Sequence, residues 1–361
     1  MTEKVADSGW TTEEMLKRVV RFDELLGCKA AFIDAKTPGS HLKENFSIIG
    51  AGVSENPAQH VHITEPHGFT LGGARQPPRI KNSPHSHETA ETFWVHSGNW
   101  CFYWGVDGKD GEVILEPGDF ISLPTFMFRG FENVGEVKGM LIGVLGADDP
   151  GKVTWAPQVL EAARGHGLVL LHDGRLIDTT IGETVPEGAH ETQPLTPEEL
   201  KRFKKLTVED MAPFIIRLAD IKNNPGLTDE TVLPGFAGRV YPLAGPYYTQ
   251  GAAKQGGDDW HFNFNLVAVK GDPGQATALY SREAPEVYNP FNGSWRFTWL
   301  EGEEEHSLVL GAGDTFTCPA GVYRRFENTG PDEAVMYVVL GGDVPVPAKL
   351  GQDRKVSLPS A

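Results

Sequence analysis

Apolar and polar positions alternate in short segments of the chain, and Gly and Pro separate these segments. Trp100, Phe102 and Trp104 stand two positions apart, and a Gly-Asp pair at Gly118 is followed by a short apolar run that ends at Pro124. Side chains two positions apart lie on one face of a β-strand, whereas Gly-Asp and Pro are typical of turns. Many short strands between such turns predict an all-β fold, either a sandwich or a barrel.

The same pattern occurs twice at a constant spacing of 195 residues. Residues 91–148 align with residues 286–343 without a gap, and 18 of the 58 aligned positions are identical. The segment ETFWVHSGNWCFYW in the first copy corresponds to EVYNPFNGSWRFTW in the second, which preserves the three aromatic positions. Self-similarity at one fixed spacing indicates a duplicated domain. The sequence therefore predicts two related β-domains.

Helices are predicted outside the two copies. Residues 11–26 begin with Thr and carry Glu in their first turn, which is typical of a helix N-terminus, and residues 154–165 and 196–205 are similar. The predicted organisation is an N-terminal helical arm (1–45), a first barrel (46–150), a helical and loop linker (151–235), a second barrel (236–348) and a C-terminal tail (349–361).

Composition and charge narrow the class of function. Hydrophobic residues make up 40% of the chain and charged residues 22%, as in soluble globular proteins. Lys and Arg number 32 against 49 Asp and Glu, and the resulting net charge of −17 disfavours nucleic acid and anionic membranes as partners. Three cysteines far apart and the lack of an apolar leader or membrane-length segment favour the cytoplasm. We therefore expect a cytoplasmic protein that acts on a small molecule.

The candidate chemistry lies at the start of the first copy, in the segment HSHETAE. His85 and His87 are two positions apart, so on an extended strand both imidazoles face the same side. Glu91 follows a short bend, from which its carboxylate can reach the same point. Two His and one carboxylate with open coordination positions are the ligand set of non-haem Fe(II) sites. The sequence thus predicts a metal site, with Fe(II) expected and Mn, Ni or Zn as alternatives.

These residues resemble the two sequence motifs of the cupin superfamily. The first motif is HxH, three or four residues, E, six residues and G, and His85, His87, Glu91 and Gly98 match it at every spacing. The second motif places G, PxG, H and N at fixed intervals. Its matching positions are Gly118, Pro124, Arg129 and Asn133 in one copy and Gly313, Pro319, Gly321, Arg324 and Asn328 in the other. The resemblance covers about residues 65–148 and 260–343 and implies a bicupin, with two jelly-roll barrels in one chain.

The chain departs from the cupin motifs at a ligand position of the first copy. Arg129 stands where cupins usually have a His as a fourth ligand. Because a guanidinium stays protonated, Arg129 is not expected to bind a cation. His60 and His62, which share a strand face, are candidates for an additional ligand or for lining the pocket.

The second copy has lost both His positions. Tyr280 and Arg282 replace them, while Glu286 remains. We expect Arg282 and Arg324 to neutralise Glu286, so that the second barrel is metal-free and structural.

Several further residues are candidates for substrate contact in the first barrel. Arg129 has three interpretations: it anchors an anionic substrate group, it pairs with Glu91, or it is structural. Phe126 and Met127 differ from their counterparts in the second copy and are predicted to shape the pocket. Phe93 is expected to face inward and stack on a ring. Arg75 is a candidate pocket cation.

The segment RVVRFDELLGCKAAFIDAKTPGSHLKENFSIIGAGV also resembles the start of the large subunit of hydroquinone-type ring-cleaving dioxygenases. That resemblance implies Fe(II), O₂ and a phenolic substrate. The expected function is accordingly a non-haem Fe(II) dioxygenase, an oxidoreductase, acting on a small aromatic or enolic substrate. The alternatives are a metal-dependent isomerase or lyase acting on a small oxo-acid or sugar acid, and a non-catalytic binding bicupin. The sequence also allows a homodimer and does not decide the oligomeric state.

Overall fold

A computed structural model describes residues 9–223, 233–245, 262–344 and 346–351. The α-helices within these residues are α1 (Thr12–Leu16), α2 (Pro157–Gly165), α3 (Val208–Met211) and α4 (Leu218–Asn223). Short 3₁₀ helices span Phe22–Glu24, Ile33–Lys36, Thr179–Ile181, Glu199–Arg202 and Ala212–Phe214. None of the helices in the described part of the chain has the length and apolar character needed to cross a membrane.

Strands dominate the described residues. They are β1 (Val19–Val20), β2 (Glu44–Ile49), β3 (Val61–Ile63), β4 (Phe69–Gln76), β5 (Lys81–Ser86), β6 (Glu91–Ser97), β7 (Trp100–Trp104), β8 (Gly111–Leu115), β9 (Phe120–Leu123), β10 (Arg129–Asn133), β11 (Gly139–Gly146), β12 (Thr154–Trp155), β13 (Leu168–Leu170), β14 (Leu176–Asp178), β15 (Ile215–Ile216), β16 (Arg239–Ala244), β17 (Phe264–Gly271), β18 (Tyr280–Ser281), β19 (Glu286–Pro290), β20 (Trp295–Glu301), β21 (Glu304–Leu310), β22 (Thr315–Cys318), β23 (Arg324–Asn328), β24 (Ala334–Gly341) and β25 (Lys349–Leu350).

The chain forms two compact units. The first-barrel unit contains Leu25–Leu218 and Gln250–Asn263, and the second-barrel unit contains Met1–Glu24, Ala219–Thr249 and Phe264–Ala361, within the described residues of each. Both are mostly antiparallel β-sandwiches, as the repeated alternating pattern predicts, and they agree with the two jelly rolls that the resemblance to cupins implies.

In the first-barrel unit, two sheets enclose a core of aromatic and aliphatic side chains. One sheet has the order β15-β9-β6-β11-β4-β2-β3 and the other the order β12-β5-β10-β7-β8. Trp100, Phe102 and Trp104 are fully buried and pack with Phe93 and Phe131. The predicted period-two alternation along β7 is therefore a core-facing alternation, which buries one set of side chains on the inside of the sandwich.

The second-barrel unit repeats this arrangement. Its sheets have the orders β1-β22-β19-β24-β17-β16 and β21-β20-β23-β18-β25. Trp295, Phe297 and Trp299 are buried in its core in the same way. The pairing register is also repeated, since Gln76 lies opposite Gly139 and, 195 residues later, Gly271 lies opposite Ala334.

Repeated glycines mark turns that a side chain would disrupt. Gly98 and Gly293 adopt φ values of 80° and 79°, in the left-handed region. A Cβ at Gly98 would lie 2.7 Å from Gly139 Cα, and one at Gly293 would lie 2.4 Å from Ala334 Cβ. The glycine of the first motif is thus required by the backbone at both positions.

Each barrel unit includes a short segment that precedes the other barrel in the sequence. Val19 and Val20 of β1 pair with β22, whereas Ile215 and Ile216 of β15 pair with β9. The two segments are alike: Thr11 caps α1 and Thr207 caps α3, in each case through a capping box. The duplication therefore extends to these segments, and the units exchange them.

Two corresponding methionines anchor these segments. Met15 belongs to the core of the second-barrel unit and Met211 to that of the first-barrel unit, both with 0% exposure.

The predicted helices are shorter in the structure. The helix predicted over residues 11–26 covers only Thr12–Leu16, because the β-branched Val19 and Val20 pair with β22 instead. The helix predicted over residues 154–165 begins at Pro157, which suits the first helical turn. Residues 196–205 form only the 3₁₀ turn Glu199–Arg202.

The exchanged segment should stabilise the second-barrel unit through Met15. We expect Met15→Ala to lower the free energy of unfolding by about 2–5 kcal/mol, because it leaves a cavity in the core. Leu16→Ala is the matched control: Leu16 is 49% exposed, so its truncation should cost less than about 0.5 kcal/mol. Urea unfolding of both variants measures the difference, and equal effects would contradict a buried role for the segment.

Candidate metal centre

Three ligand-type side chains meet inside the first barrel. His85 lies on β5, His87 follows this strand directly, and Glu91 begins β6. Their exposures are only 3%, 2% and 5%. One ligand atom from each lies within 4.8 Å of the other two. The local cause is the pattern noted in the sequence, an extended HxH followed by a short bend that returns the chain to the same end of the barrel.

Two contacts fix the ring of His85. Its Nδ1 donates a hydrogen bond to the Ser83 carbonyl oxygen at 2.8 Å, and the Trp155 ring packs 5.4 Å away, centroid to centroid. Burial, followed by the nearby Arg129, holds the pKa of His85 well below its usual range. Nε2 of this neutral imidazole is therefore available as a ligand.

His87 is also a neutral ligand candidate. Its pKa is well below the usual range because of burial and, next, the charge of Arg129. Among the residues that the structure describes, its buried Nδ1 has no hydrogen-bond partner. Its Nε2 lies 3.6 Å from Oε1 of Glu91. A buried imidazole that lacks a partner, beside a second imidazole and a carboxylate, fits a divalent metal ion.

Arg129 pairs with one oxygen of Glu91. Its Nε and Nη2 donate to Oε2 at 3.1 and 2.8 Å, and its Nη1 donates to the Met127 carbonyl oxygen at 3.1 Å. Burial raises the pKa of Glu91, and the guanidinium opposes that effect. Since Oε2 is occupied, the free oxygen is Oε1, which faces His87. Of the three interpretations of Arg129, the structure shows the pairing with Glu91, and its three contacts use three of the five guanidinium N–H groups.

A cavity opens beside the three side chains. The space between its lining residues measures about 730 Å³, a figure that includes open solvent. The lining combines aromatic side chains, small residues and a few polar groups. These residues include Phe32, Lys43, Asn45, Ser47, Gly72, Ala74, Gln76, Asn82, His85, His87, Glu91, Phe93, Phe131, Gly143 and Trp155. Phe93, predicted as an inward-facing aromatic residue, lies among them.

The structure places Phe126 and Met127 away from this lining. Phe126 has a φ of 55° and packs against a cluster formed mainly by the linker. Met127 is fully buried in the barrel core. Neither residue therefore lines the cavity that both were predicted to shape, because the turn before β10 directs them elsewhere.

Arg75, His60 and His62 also lie outside the cavity lining. Arg75 alternates with Ala74 on β4, so its Nε pairs with Glu44 Oε2 at 2.8 Å. The rings of His60 and His62 contact each other edge to face, with centroids 4.5 Å apart. His62 Nε2 accepts a hydrogen bond from the backbone amide of Leu26 at 3.1 Å. The structure thus does not bring these residues to the candidate ligands.

The structure adds polar residues that the sequence pattern did not indicate. Lys43 is buried, pairs with Asp34 and donates to Asn82 Oδ1 at 2.5 Å. The Asn82 amide nitrogen lies 3.4 Å from His85 Nδ1. Strict alternation would turn Asn82 away from His85, but the register of β5 shifts between them. Pro84 was the one signal of this shift in the sequence, since Pro within a strand often marks a bulge.

The second barrel has a different arrangement at the corresponding positions. Glu286 is fully buried, accepts a hydrogen bond from Arg282 Nε at 2.6 Å and pairs with Arg324 as well. The hydroxyl of Tyr280 donates to it at 3.1 Å, and that of Tyr288 donates too. Within the described residues, a group of three metal-ligating side chains occurs only in the first barrel. The Arg-Glu-Arg cluster expected from the sequence is present.

Comparison with known proteins agrees with this architecture. The family model described as "Cupin domain" matches residues 74–144. No curated protein matches the chain by sequence. The first barrel is therefore a cupin domain.

Solved structures resemble the chain over most of its length. One is oxalate decarboxylase from Bacillus subtilis at pH 4.6, which is 15% identical, with a TM-score of 0.54 over 95% of this chain and 80% of that chain. Another is the formate complex of Lactobacillus farciminis oxalate decarboxylase, which is 12% identical, with a TM-score of 0.53 over 95% and 90%. A third concerns the Mn(II) centres of the Bacillus subtilis enzyme, 15% identical, with a TM-score of 0.53 over 94% and 79%. The chain as a whole has the bicupin fold.

The charge cluster of the second barrel predicts a pH-dependent stability. Burial alone would raise the pKa of Glu286, but Arg324 and Arg282 outweigh it and lower the pKa to about 2. Because the pKa of the folded state lies below the ordinary value of 4.5, the carboxylate stabilises the fold above pH 4.5. This contribution is lost as the pH falls through about 2.

We expect Glu286→Gln to destabilise the protein by about 3–5 kcal/mol near neutral pH, because two buried guanidinium groups lose their counter-charge. The difference from wild type should shrink as the pH falls below about 4.5. Glu305→Gln is the control, since its pair with Arg325 is partly exposed and should contribute at most about 1 kcal/mol. Urea unfolding at several pH values measures both effects. A pH-independent loss, or one no larger than in the control, would contradict this account.

Proposed function

We propose that this bicupin is a metal-dependent enzyme of the lyase or isomerase class, which acts on a small oxo-acid or related carboxylate in its first barrel. The observation that carries the proposal is the buried grouping of His85, His87 and Glu91, with ligand atoms within 4.8 Å of one another at the edge of a cavity. Similar solved structures are oxalate decarboxylases, and one of them is described by its Mn(II) centres. Imidazole and carboxylate ligands suit Mn(II) as well as Fe(II).

The side chains around the three ligands prepare them for binding. The Ser83 carbonyl fixes His85 so that Nε2 points away from the strand. Arg129 holds Oε2 of Glu91 and thereby presents Oε1 beside His87. A divalent metal ion at this point would supply Lewis-acid polarisation of a substrate carboxylate or carbonyl oxygen. Aromatic side chains form part of the lining around this point.

The charges around the cavity favour an anionic substrate. Arg129 offsets Glu91, and Lys43 offsets Asp34 in a second buried pair. The low pKa values of His85 and His87 keep both imidazoles neutral. Glu44, another carboxylate of the lining, pairs with Arg75. A divalent ion would therefore add positive charge beyond these pairs. A carboxylate substrate supplies the missing negative charge despite the net charge of −17 of the whole chain.

A second candidate is a non-haem Fe(II) dioxygenase that uses O₂ on a phenolic or enolic substrate. The observation that favours it is the aromatic wall of the cavity, formed by Phe32, Phe93, Phe131 and Trp155. Such rings can stack on an aromatic substrate. Two His and one carboxylate also match the ligand set of oxygen-activating Fe(II) sites.

Metal content tests the premise that both candidates share. Protein prepared without oxygen should contain about one Mn or Fe per chain, and His87→Ala should lose it because one of three ligands is gone. His60→Ala is the matched control, since His60 is exposed and lies outside the cavity lining, so it should retain the metal. Mass spectrometry of the purified proteins measures the metal. Metal-free wild type, or a His87→Ala variant that retains metal, would contradict a site at these residues.

Dependence on oxygen separates the two candidates. We expect turnover of small oxo-acids and dicarboxylates, followed by NMR, to continue without oxygen and to disappear in His87→Ala. Turnover that stops without oxygen, with phenolic substrates consuming O₂, would instead establish the dioxygenase.

A further inference from the structure

The interiors of the two barrels differ at equivalent positions. Gly72 pairs with Gly143 across β4 and β11, and at the same register Val267 pairs with Val338. Ala74 likewise corresponds to Val269. The three valines are fully buried in the core of the second-barrel unit, whereas the three small residues line the cavity of the first. The first barrel thus has small residues where the second is filled by valines. Neighbouring atoms cover both glycines, since a Cβ at Gly143 would lie 2.5 Å from the Phe93 ring and one at Gly72 2.9 Å from the Phe46 carbonyl oxygen.

Gln76 lies in the same cavity and has an unusual environment. It ends β4, its side chain is 0% exposed, and it lines the cavity together with His85, His87 and Glu91. Neither its Oε1 nor its Nε2 has a hydrogen-bond partner among the described residues. Burying an amide without partners costs stability, so a residue of this kind needs a reason to be there. Its counterpart in the filled barrel is Gly271, which has no polar side chain.

We infer that Gln76 is a specificity-determining residue, whose amide binds a hydroxyl or carbonyl group at the end of the substrate remote from the metal ligands. This inference rests on the proposed function, because it takes the cavity as the substrate site. The substrate class that fits is a hydroxy- or oxo-substituted carboxylate. Its carboxylate lies at His85, His87 and Glu91, and a short apolar body lies against Phe93 and the small residues Gly72 and Gly143.

The chemistry of the amide explains the selectivity. A Gln side chain offers one acceptor and two donors, so it can bind either a hydroxyl or a carbonyl group. A substrate whose hydroxyl or carbonyl group reaches Gln76 satisfies the buried amide. An analogue that has hydrogen instead of this group leaves the amide buried and unpaired. Sites of this type reject the analogue strongly, because the penalty of the unpaired group counts against it.

Stability of the ligand-free protein provides the first test. Gln76→Leu should raise the melting temperature by about 2–4 °C, because it replaces an unsatisfied amide with an apolar group of similar size. Gln59→Leu is the matched control: Gln59 is buried too, but its Nε2 donates to Ser47 at 2.6 Å and its Oε1 accepts from Asn45 at 3.3 Å. The control should melt at a lower temperature than wild type. A lower melting temperature for Gln76→Leu would show that the amide is satisfied in the free protein and would overturn the inference.

Binding provides the second test. Titration calorimetry of the Mn(II)-loaded protein compares 4-hydroxybenzoate with benzoate, and 5-hydroxypentanoate with pentanoate. The wild type should bind the hydroxylated member of at least one pair about tenfold or more tightly, and Gln76→Leu should remove this preference. Ala74→Val, which introduces the residue of the filled barrel, should weaken both members of the pair. If wild type shows no preference, or if Gln76→Leu keeps it, the inference is wrong.

These outcomes are distinguishable from a failure of the proposed function. Wild type that binds metal and turns over a carboxylate, with a Gln76→Leu variant of unchanged preference, would leave the function standing and remove only the role of Gln76. Wild type without metal would remove the proposed function, while the melting temperatures would still report whether Gln76 is unsatisfied.

Discussion

A buried carboxylate must be compensated by positive charge or by hydrogen bonds, and this constraint governs the same position of both barrels. In the second barrel, Arg282 and Arg324 both pair with Glu286, and two tyrosine hydroxyls complete its shell. In the first barrel Arg129 pairs with Glu91 through a single oxygen, Oε2. The other oxygen faces a neutral imidazole. One barrel has thus a closed charge cluster, and the other a carboxylate with one oxygen left for a ligand.

This difference agrees with the packing of the interiors. The second barrel fills its core with valines. The first barrel keeps glycine and alanine at the equivalent positions, together with a buried amide that lacks partners among the described residues. Cavities and unsatisfied polar groups cost stability, and proteins tolerate such costs mainly where binding requires them. This packing supports the proposal that the first barrel binds a ligand and the second is structural.

The exchanged segments make each barrel unit depend on residues that are distant from it in the sequence. Each barrel unit takes one strand and one buried methionine from the segment that precedes the other barrel in sequence. These pairings join residues almost 300 positions apart in the case of Val19 and Phe316. Such long-range contacts close large loops and slow folding. They also protect the edge of β22 and of β9, which would otherwise expose unpaired backbone groups.

The sequence by itself determined the fold class, the duplication and the grouping of His85, His87 and Glu91. Period-two alternation and fixed motif spacing depend only on local geometry, so they can be read along the chain. It also indicated the cluster around Glu286, because Arg282 and Arg324 stand at two motif positions where cupins have histidine. Only the tertiary structure decided that Arg129 holds Oε2 of Glu91, that a register shift turns Asn82 toward His85, and that Gln76 is buried without partners among the described residues. The strand pairing of Val19 and Val20 with β22 was also decided only by the tertiary structure. These features depend on which distant strands come together, and no local pattern specifies that.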